Sequence, residues 1–168
     1  MSLERTPPSV SSDGTLTVWI LPASAVDDPT DIPVSALDEA LRVTYSMTTD
    51  GYNRTSDQAT ETDPRLTLRD VPETPGSVTN SLEVTFVHGS DDDVMDPLVV
   101  EGDEVLVVER RAVPNEELPD DGQIVDALEG VWGKVRKNAP TANGKWTKTA
   151  RMFVRAVHED VVIGGNGS

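Results

Sequence analysis

Ser81-Leu-Glu-Val-Thr-Phe-Val-His88 decides the fold class. Leu82, Val84, Phe86 and His88 alternate with Ser81, Glu83, Thr85 and Val87, the period of a strand with one covered face, and Gly89 ends the run. The same signal recurs on both sides. Upstream, Thr15 to Leu21 sets Leu16, Val18 and Ile20 against Thr15, Thr17 and Trp19 until Pro22 stops it, and Leu41, Val43, Tyr45 and Met47 alternate with Arg42, Thr44, Ser46 and Thr48. Downstream, Glu104 to Arg111 is a Val-rich strand, and Val125 to Lys137 followed by Lys145 to His158 reads as a hairpin turning through Asn138-Ala-Pro140 and Asn143-Gly144. Val occurs 23 times against 12 Leu and 4 Ile, the usage of pleated rather than helical structure. The chain is predicted to be mainly β, with six to eight strands. One short helix is expected at Ser35-Ala-Leu-Asp38, a capping-box pattern followed by apolar residues at helical spacing.

Between the strands lie two polar excursions. Residues 52 to 63 carry one aromatic at the start and no aliphatic larger than Ala, so Asp50 to Pro64 is predicted to be a long loop, of the length that in a compact domain serves a function. Arg65 to Asp70 is expected to be a short strand and Val71 to Gly76 a connector. Asp91-Asp-Asp93 opens an acidic loop.

Size and charge narrow the function classes. At 168 residues one domain is expected, over 15–163, with an N-terminal arm at 1–14 and a flexible tail at 164–168. Fourteen Lys and Arg against 30 Asp and Glu leave a net charge of -16, which opposes tight binding to phosphates and anionic membranes. Absence of Cys excludes disulfide scaffolds and thiol chemistry. No basic, apolar leader opens the chain, so a soluble protein that is not exported is expected. The charge is unevenly spread. Residues 1 to 100 hold 5 basic and 18 acidic side chains, whereas Lys134, Arg136, Lys137, Lys145, Lys148, Arg151 and Arg155 form a cluster with no acid among them.

Catalytic vocabulary is missing. There is no nucleophile elbow, phosphate-binding loop, dinucleotide fingerprint or zinc-protease motif, and the two histidines, His88 and His158, read as a core or interface residue and an exposed one. The Asp91 to Asp96 cluster lacks the alternating ligands and the twelfth-position Glu of a calcium loop, so no metal is assigned, and no cofactor. Trp132, Trp146 and Phe153 among the basic side chains resemble a nucleic-acid surface, but the net charge favours a protein partner. A β body with a long exposed loop, arms and complementary charge segments reads as an assembly subunit.

The order of elements resembles the siphophage major tail proteins, the tail tube subunits. The resemblance spans about residues 12 to 163. It runs through Thr15-Leu-Thr-Val-Trp-Ile-Leu-Pro22, Pro33-Val-Ser-Ala-Leu-Asp-Glu-Ala-Leu-Arg-Val-Thr-Tyr-Ser-Met-Thr-Thr-Asp-Gly-Tyr52, Asp63-Pro-Arg-Leu66, Gly76, Ser81 to Val87 and Asp121-Gly-Gln-Ile-Val-Asp126. It implies two packed antiparallel sheets, a β-sandwich or barrel, with the helix at Ser35 to Arg42 on its flank, and hexameric rings stacked into a virion tube for DNA. On that resemblance Asp50, Gly51, Tyr52, Asn53, Arg54, Asp57, Glu61 and Asp63 belong to a loop reaching the adjacent ring. The arms tie neighbouring copies, and the further partners are a tape measure protein and a tail terminator. The basic cluster is expected at interfaces between copies. DNA passes without specific binding and membranes are not bound; assembly is in the host cytoplasm. Six subunits donating four strands each would close a barrel on the order of 50 Å across at about 4.8 Å spacing and about 40° tilt. A tail terminator or head–tail joining protein, and a monomeric acidic binding module, remain as alternatives; an enzyme ranks behind them.

Overall fold

A computed structural model describes residues 7–141 and 144–164. Seven strands and one α-helix make up its regular structure: β1 (Leu16–Pro22), α1 (Val34–Glu39), β2 (Met47–Thr62), β3 (Glu73–Val87), β4 (Glu104–Arg111), β5 (Ile124–Trp132), β6 (Arg136–Lys137) and β7 (Thr147–Val162). All seven strands belong to one antiparallel sheet of order β1-β4-β5-β7-β3-β2, with β6 paired to β7. The implied pair of packed sheets is therefore replaced by a single one. Its path ends at β1 and β2 and does not close. β7, 16 residues long, pairs with β3 over Thr147 to Phe153 and has β5 as its other neighbour in the order, so the ladder runs on from one set of strands to the next.

The chain divides into two compact units. One comprises the chain up to Tyr45, Val105–Leu128 and the stretch from His158 onward; the other comprises Ser46–Glu104 and Glu129–Val157. In the first unit β1 pairs with β4 from Leu16↔Arg111 to Pro22↔Val105. Val105 to Arg110 are buried without alternation, as is Thr17 to Leu21, because both faces of these strands are covered. Trp19, Leu21, Ile32, Leu37, Leu106, Val108, Val125, Ala127, Val161 and Ile163 form the core here.

The helix starts one residue before the expected cap. Pro33 holds the N-cap position without a side-chain bond, and Ser35 lies inside the helix. Six residues do not sustain a helix in water; burial of Leu37 holds this one. The alternation at 41 to 48 is not a strand along its length. The Val43 amide donates to the Val18 carbonyl at 2.9 Å, and the Val18 amide donates to Thr44 Oγ1 at 2.8 Å, so this stretch laces along the open side of β1. A 3-10 turn, Thr44–Ser46, follows, and Tyr45 is left exposed.

In the second unit β3 pairs with β7 from Ser81↔Phe153 to Val87↔Thr147, and Leu82, Val84, Phe86, Ala150 and Met152 are buried. The arm expected at 1–14 is exposed and irregular from Pro7 to Gly14. Its first six residues, Asn143 of the expected turn, and the tail beyond Gly164 lie outside the described residues. Among the described residues no helix is long and apolar enough to cross a membrane.

Candidate assembly surface

The stretch expected to loop from Asp50 to Pro64 is instead most of β2, paired with β3 in a long ribbon. Pairing runs from Tyr52↔Val84 through Thr55↔Ser81 and Asp57↔Thr79 to Thr62↔Glu73. Backbone hydrogen bonds need no apolar side chain. A ribbon whose two faces both meet water therefore carries the composition of a loop, which misled the sequence reading. Gly51 is the one buried residue of β2. A Cβ there would lie 2.3 Å from the Thr85 carbonyl oxygen, so only glycine lets the two strands close at the register shift between Met47 and Tyr52.

Beyond Leu82 the ribbon has no core. Thr55 and Ser81 share a hydroxyl hydrogen bond at 2.6 Å, and Gln58 Nε2 donates to the Gly76 carbonyl at 3.4 Å. Asn53, Asp57 and Glu61 stand along β2, with Asn53 Nδ2 donating to the Asp50 carbonyl at 3.0 Å. Two-stranded ribbons are marginal in water, and the outer edge of β2, last in the sheet order, pairs with no other strand among the described residues.

At the tip the expected short strand, Arg65 to Asp70, is a turn. Asp63 pairs with Arg65 at 2.8 Å, and the Leu68 amide donates to the Arg65 carbonyl at 3.1 Å. Thr67 sits at φ 65°, left-handed backbone that a β-branched residue rarely occupies. Leu66 is 93 % exposed, and Leu68 and Val71 are also open. These apolar residues fall just outside the predicted loop. The signal was available: two leucines between Arg65 and Arg69, after a stretch with no large aliphatic.

The basic cluster lies in the same unit as the ribbon and is split between faces. Lys148 shares the covered face of β7 with Ala150 and Met152 and binds Asp96 at 2.6 Å. Arg151 and Arg155 are on the other face, Arg151 opposite Glu83, 5.2 Å from the ring centroid of the exposed Phe153, and Arg155 paired with Glu104 at 2.9 Å. Arg136 is opposite Thr149, Lys137 opposite Lys148, and Lys134, Arg136, Lys137 and Lys145 are exposed. Strand periodicity separates what is continuous in sequence.

One buried polar hub escaped sequence reading. Arg110, fully buried on β4, has its guanidinium 5.3 Å from the Trp19 ring centroid. It donates to Gln123 Oε1 at 3.0 Å, Thr17 Oγ1 at 3.2 Å and the Pro114 and Glu117 carbonyls at 3.2 and 2.8 Å. Burial, and then the nearby Arg42, lower its pKa. Asn115 Nδ2 completes the hub, donating to the Leu16 carbonyl at 2.9 Å. This is the chemistry of a clamped loop.

His88 and His158 are half-buried in different units, and the His88 amide donates to the Trp146 carbonyl at 3.1 Å. Among the described residues no group of three or more His, Cys, Asp or Glu is placed to hold a metal ion. A pocket of about 240 Å³ is lined by Ala25, Val26, Asp27, Asp28, Asp31, Pro33 and Gly164.

A family model described as "Phage tail tube protein" matches residues 4–165. No curated protein matches the sequence. Among solved structures, a chain in "Cryo-EM structure of the anti-feeding prophage (AFP) baseplate, 6-fold symmetrised" superposes with a TM-score of 0.53 at 13 % identity, covering 97 % of this chain and 100 % of that one. At that identity the likeness is one of fold.

Proposed function

The chain belongs to the phage tail tube protein family, and on that premise we propose that it is a structural virion subunit that polymerises as stacked rings, six copies to a ring, around a channel for DNA. The observation that carries this reading is the outer edge of β2, to which no other strand pairs among the described residues, on a sheet that does not close by itself. Such an edge is a liability in a monomer and a joint in a ring, where a neighbour's strand completes the ladder. At the other border of this unit's strands, β6 and its approach present Lys134, Arg136 and Lys137, while β2 presents Asp50, Asp57 and Glu61 beside Arg54. An acidic edge meeting a basic one gives a head-to-tail contact, the kind that generates rings.

The ribbon beyond Ser56↔Asn80 then serves the next ring, and the exposed arm at 7–14 ties adjacent copies. A tape measure protein and a tail terminator are the partners this role requires. Nothing in the role calls for catalysis. A wall with net negative charge lets DNA slide, because adhesive contacts to phosphate would trap it. Arg151 on the uncovered face is set opposite Glu83, which limits its pull on phosphate.

The test is to join Ser56 to Asn80 through an Asn-Gly turn, deleting the distal ribbon. A folded chain with an unchanged near-UV spectrum that forms no tubes in negative-stain micrographs is expected. Normal tubes from that variant would overturn the reading, and rings that never stack from the intact chain would favour a single-ring tail component.

A further inference from the structure

The ribbon tip and a patch in the other unit have matching chemistry. The tip presents Leu66 and Leu68, 93 % and 45 % exposed, between Arg65 and Arg69. In the first unit, Ile124 on β5 and Val162 on β7 are 54 % and 55 % exposed. They are cross-strand neighbours. The Ile163 amide donates to the Gln123 carbonyl and the Gly122 amide to the Ile163 carbonyl, both at 2.9 Å, with Gly122 at φ 87° making a bulge. That bulge starts the pairing so that Ile124 meets Val162 on the outer face, while Val125 and Val161 fill the core.

Acids border this apolar pair. Asp120 and Asp121 precede it, Asp126 and Asp160 follow it on the same two strands, and Glu159 is next along. The Asp160 amide donates to Asp126 Oδ1 at 3.1 Å, which draws the two acids together beside the pair. Two leucines between Arg65, which Asp63 holds at 2.8 Å, and Arg69, which Asp70 follows, meet a complementary surface: an apolar pair bordered by carboxylates.

We infer that the Leu66–Leu68 tip of one copy docks on the Ile124–Val162 patch of a second copy, with Arg65 and Arg69 set against Asp126, Asp160 and their acidic neighbours. The inference rests on the assembly reading and names the contact by which one copy holds another. Apolar contact supplies the adhesion and the charges set which face is chosen.

The native chain has no cysteine, so single substitutions label single sites. Leu66→Cys and Val162→Cys chains, prepared separately and mixed under assembly conditions with a short bismaleimide, should give a 66-to-162 product at twice the chain mass, identified by peptide mass spectrometry. Adding Arg65→Glu and Arg69→Glu to the first chain should cut its rate of formation at least tenfold at low salt. Tubes that form without any 66-to-162 product would overturn the docking contact and leave the assembly reading standing. A native chain that stays monomeric would overturn both. In a control chain carrying both Leu66→Cys and Val162→Cys, a 66-to-162 link formed there at monomer mass and not between the mixed single-cysteine chains would show a contact within one copy and also overturn the proposal.

Discussion

Arg110 is the residue on which the first unit's loop depends. A guanidinium with no solvent exposure is costly to bury, and the cost is met by two side-chain acceptors, two backbone carbonyls and the Trp19 ring. Replacing it with Met removes the anchor of the 114–123 loop and strands those carbonyls. We expect Arg110→Met to lose about 3–5 kcal/mol in urea denaturation, against about 1 kcal/mol for Gln123→Ala. Asp28 is the contrasting case. The Thr30 hydroxyl and then the Thr30 amide donate to its Oδ1, at 2.7 and 2.9 Å, and hold its pKa below the ordinary aspartate value. A lowered folded pKa stabilises the fold above the ordinary value, and that contribution is lost as the pH falls through the lowered one. Thr30→Ala should raise the Asp28 pKa toward the ordinary value in an NMR titration.

At the scale of the element, the β2–β3 ribbon is held tightly at its base and loosely beyond. Gly51 belongs to the base, and an alanine there puts Cβ against the Thr85 carbonyl oxygen. Gly51→Ala should cost about 2–4 kcal/mol in chemical denaturation, because backbone rather than a flexible side chain must yield. A Cβ on Gly76 would also meet backbone, 2.9 Å from the Ala59 carbonyl oxygen, but Gly76 lies where the ribbon has no core. Gly76→Ala is expected to open residues 57–79 locally. Amide exchange should rise there while the global unfolding midpoint moves little, because a segment already near the low end of local stability can open without the rest.

For the whole molecule, charge decides the conditions of assembly. In the proposed ring, six copies at -16 would place about 100 negative charges together, and their repulsion would act over many ångströms. The Debye length falls from about 10 Å at 0.1 M salt to about 3 Å at 1 M, so salt weakens that repulsion more than contacts at ion-pair distance. Tube formation, followed by light scattering, should therefore be faster at 0.5 M than at 0.05 M sodium chloride. Slower assembly at the higher concentration would mean that direct ion pairs dominate the joints.

The sequence by itself determined the strand-rich class, the positions of β1 and β4, the short helix and the final hairpin. In each, covered faces or tight turns write their pattern into neighbouring residues. It also determined the charge imbalance and the absence of catalytic motifs. It misjudged residues 41 to 46, where alternation came from Val43 lacing onto β1, and the Asp50 to Pro64 stretch, where strand pairing left no trace in apolar residues. Only the tertiary structure decided that the strands share one sheet, that β2 is left as its edge, and that the face of β7 carrying Lys148 is the covered one. Those are long-range matters, set by which backbone finds which partner across dozens of residues, and a ladder of peptide groups is blind to the side chains from which a sequence is read.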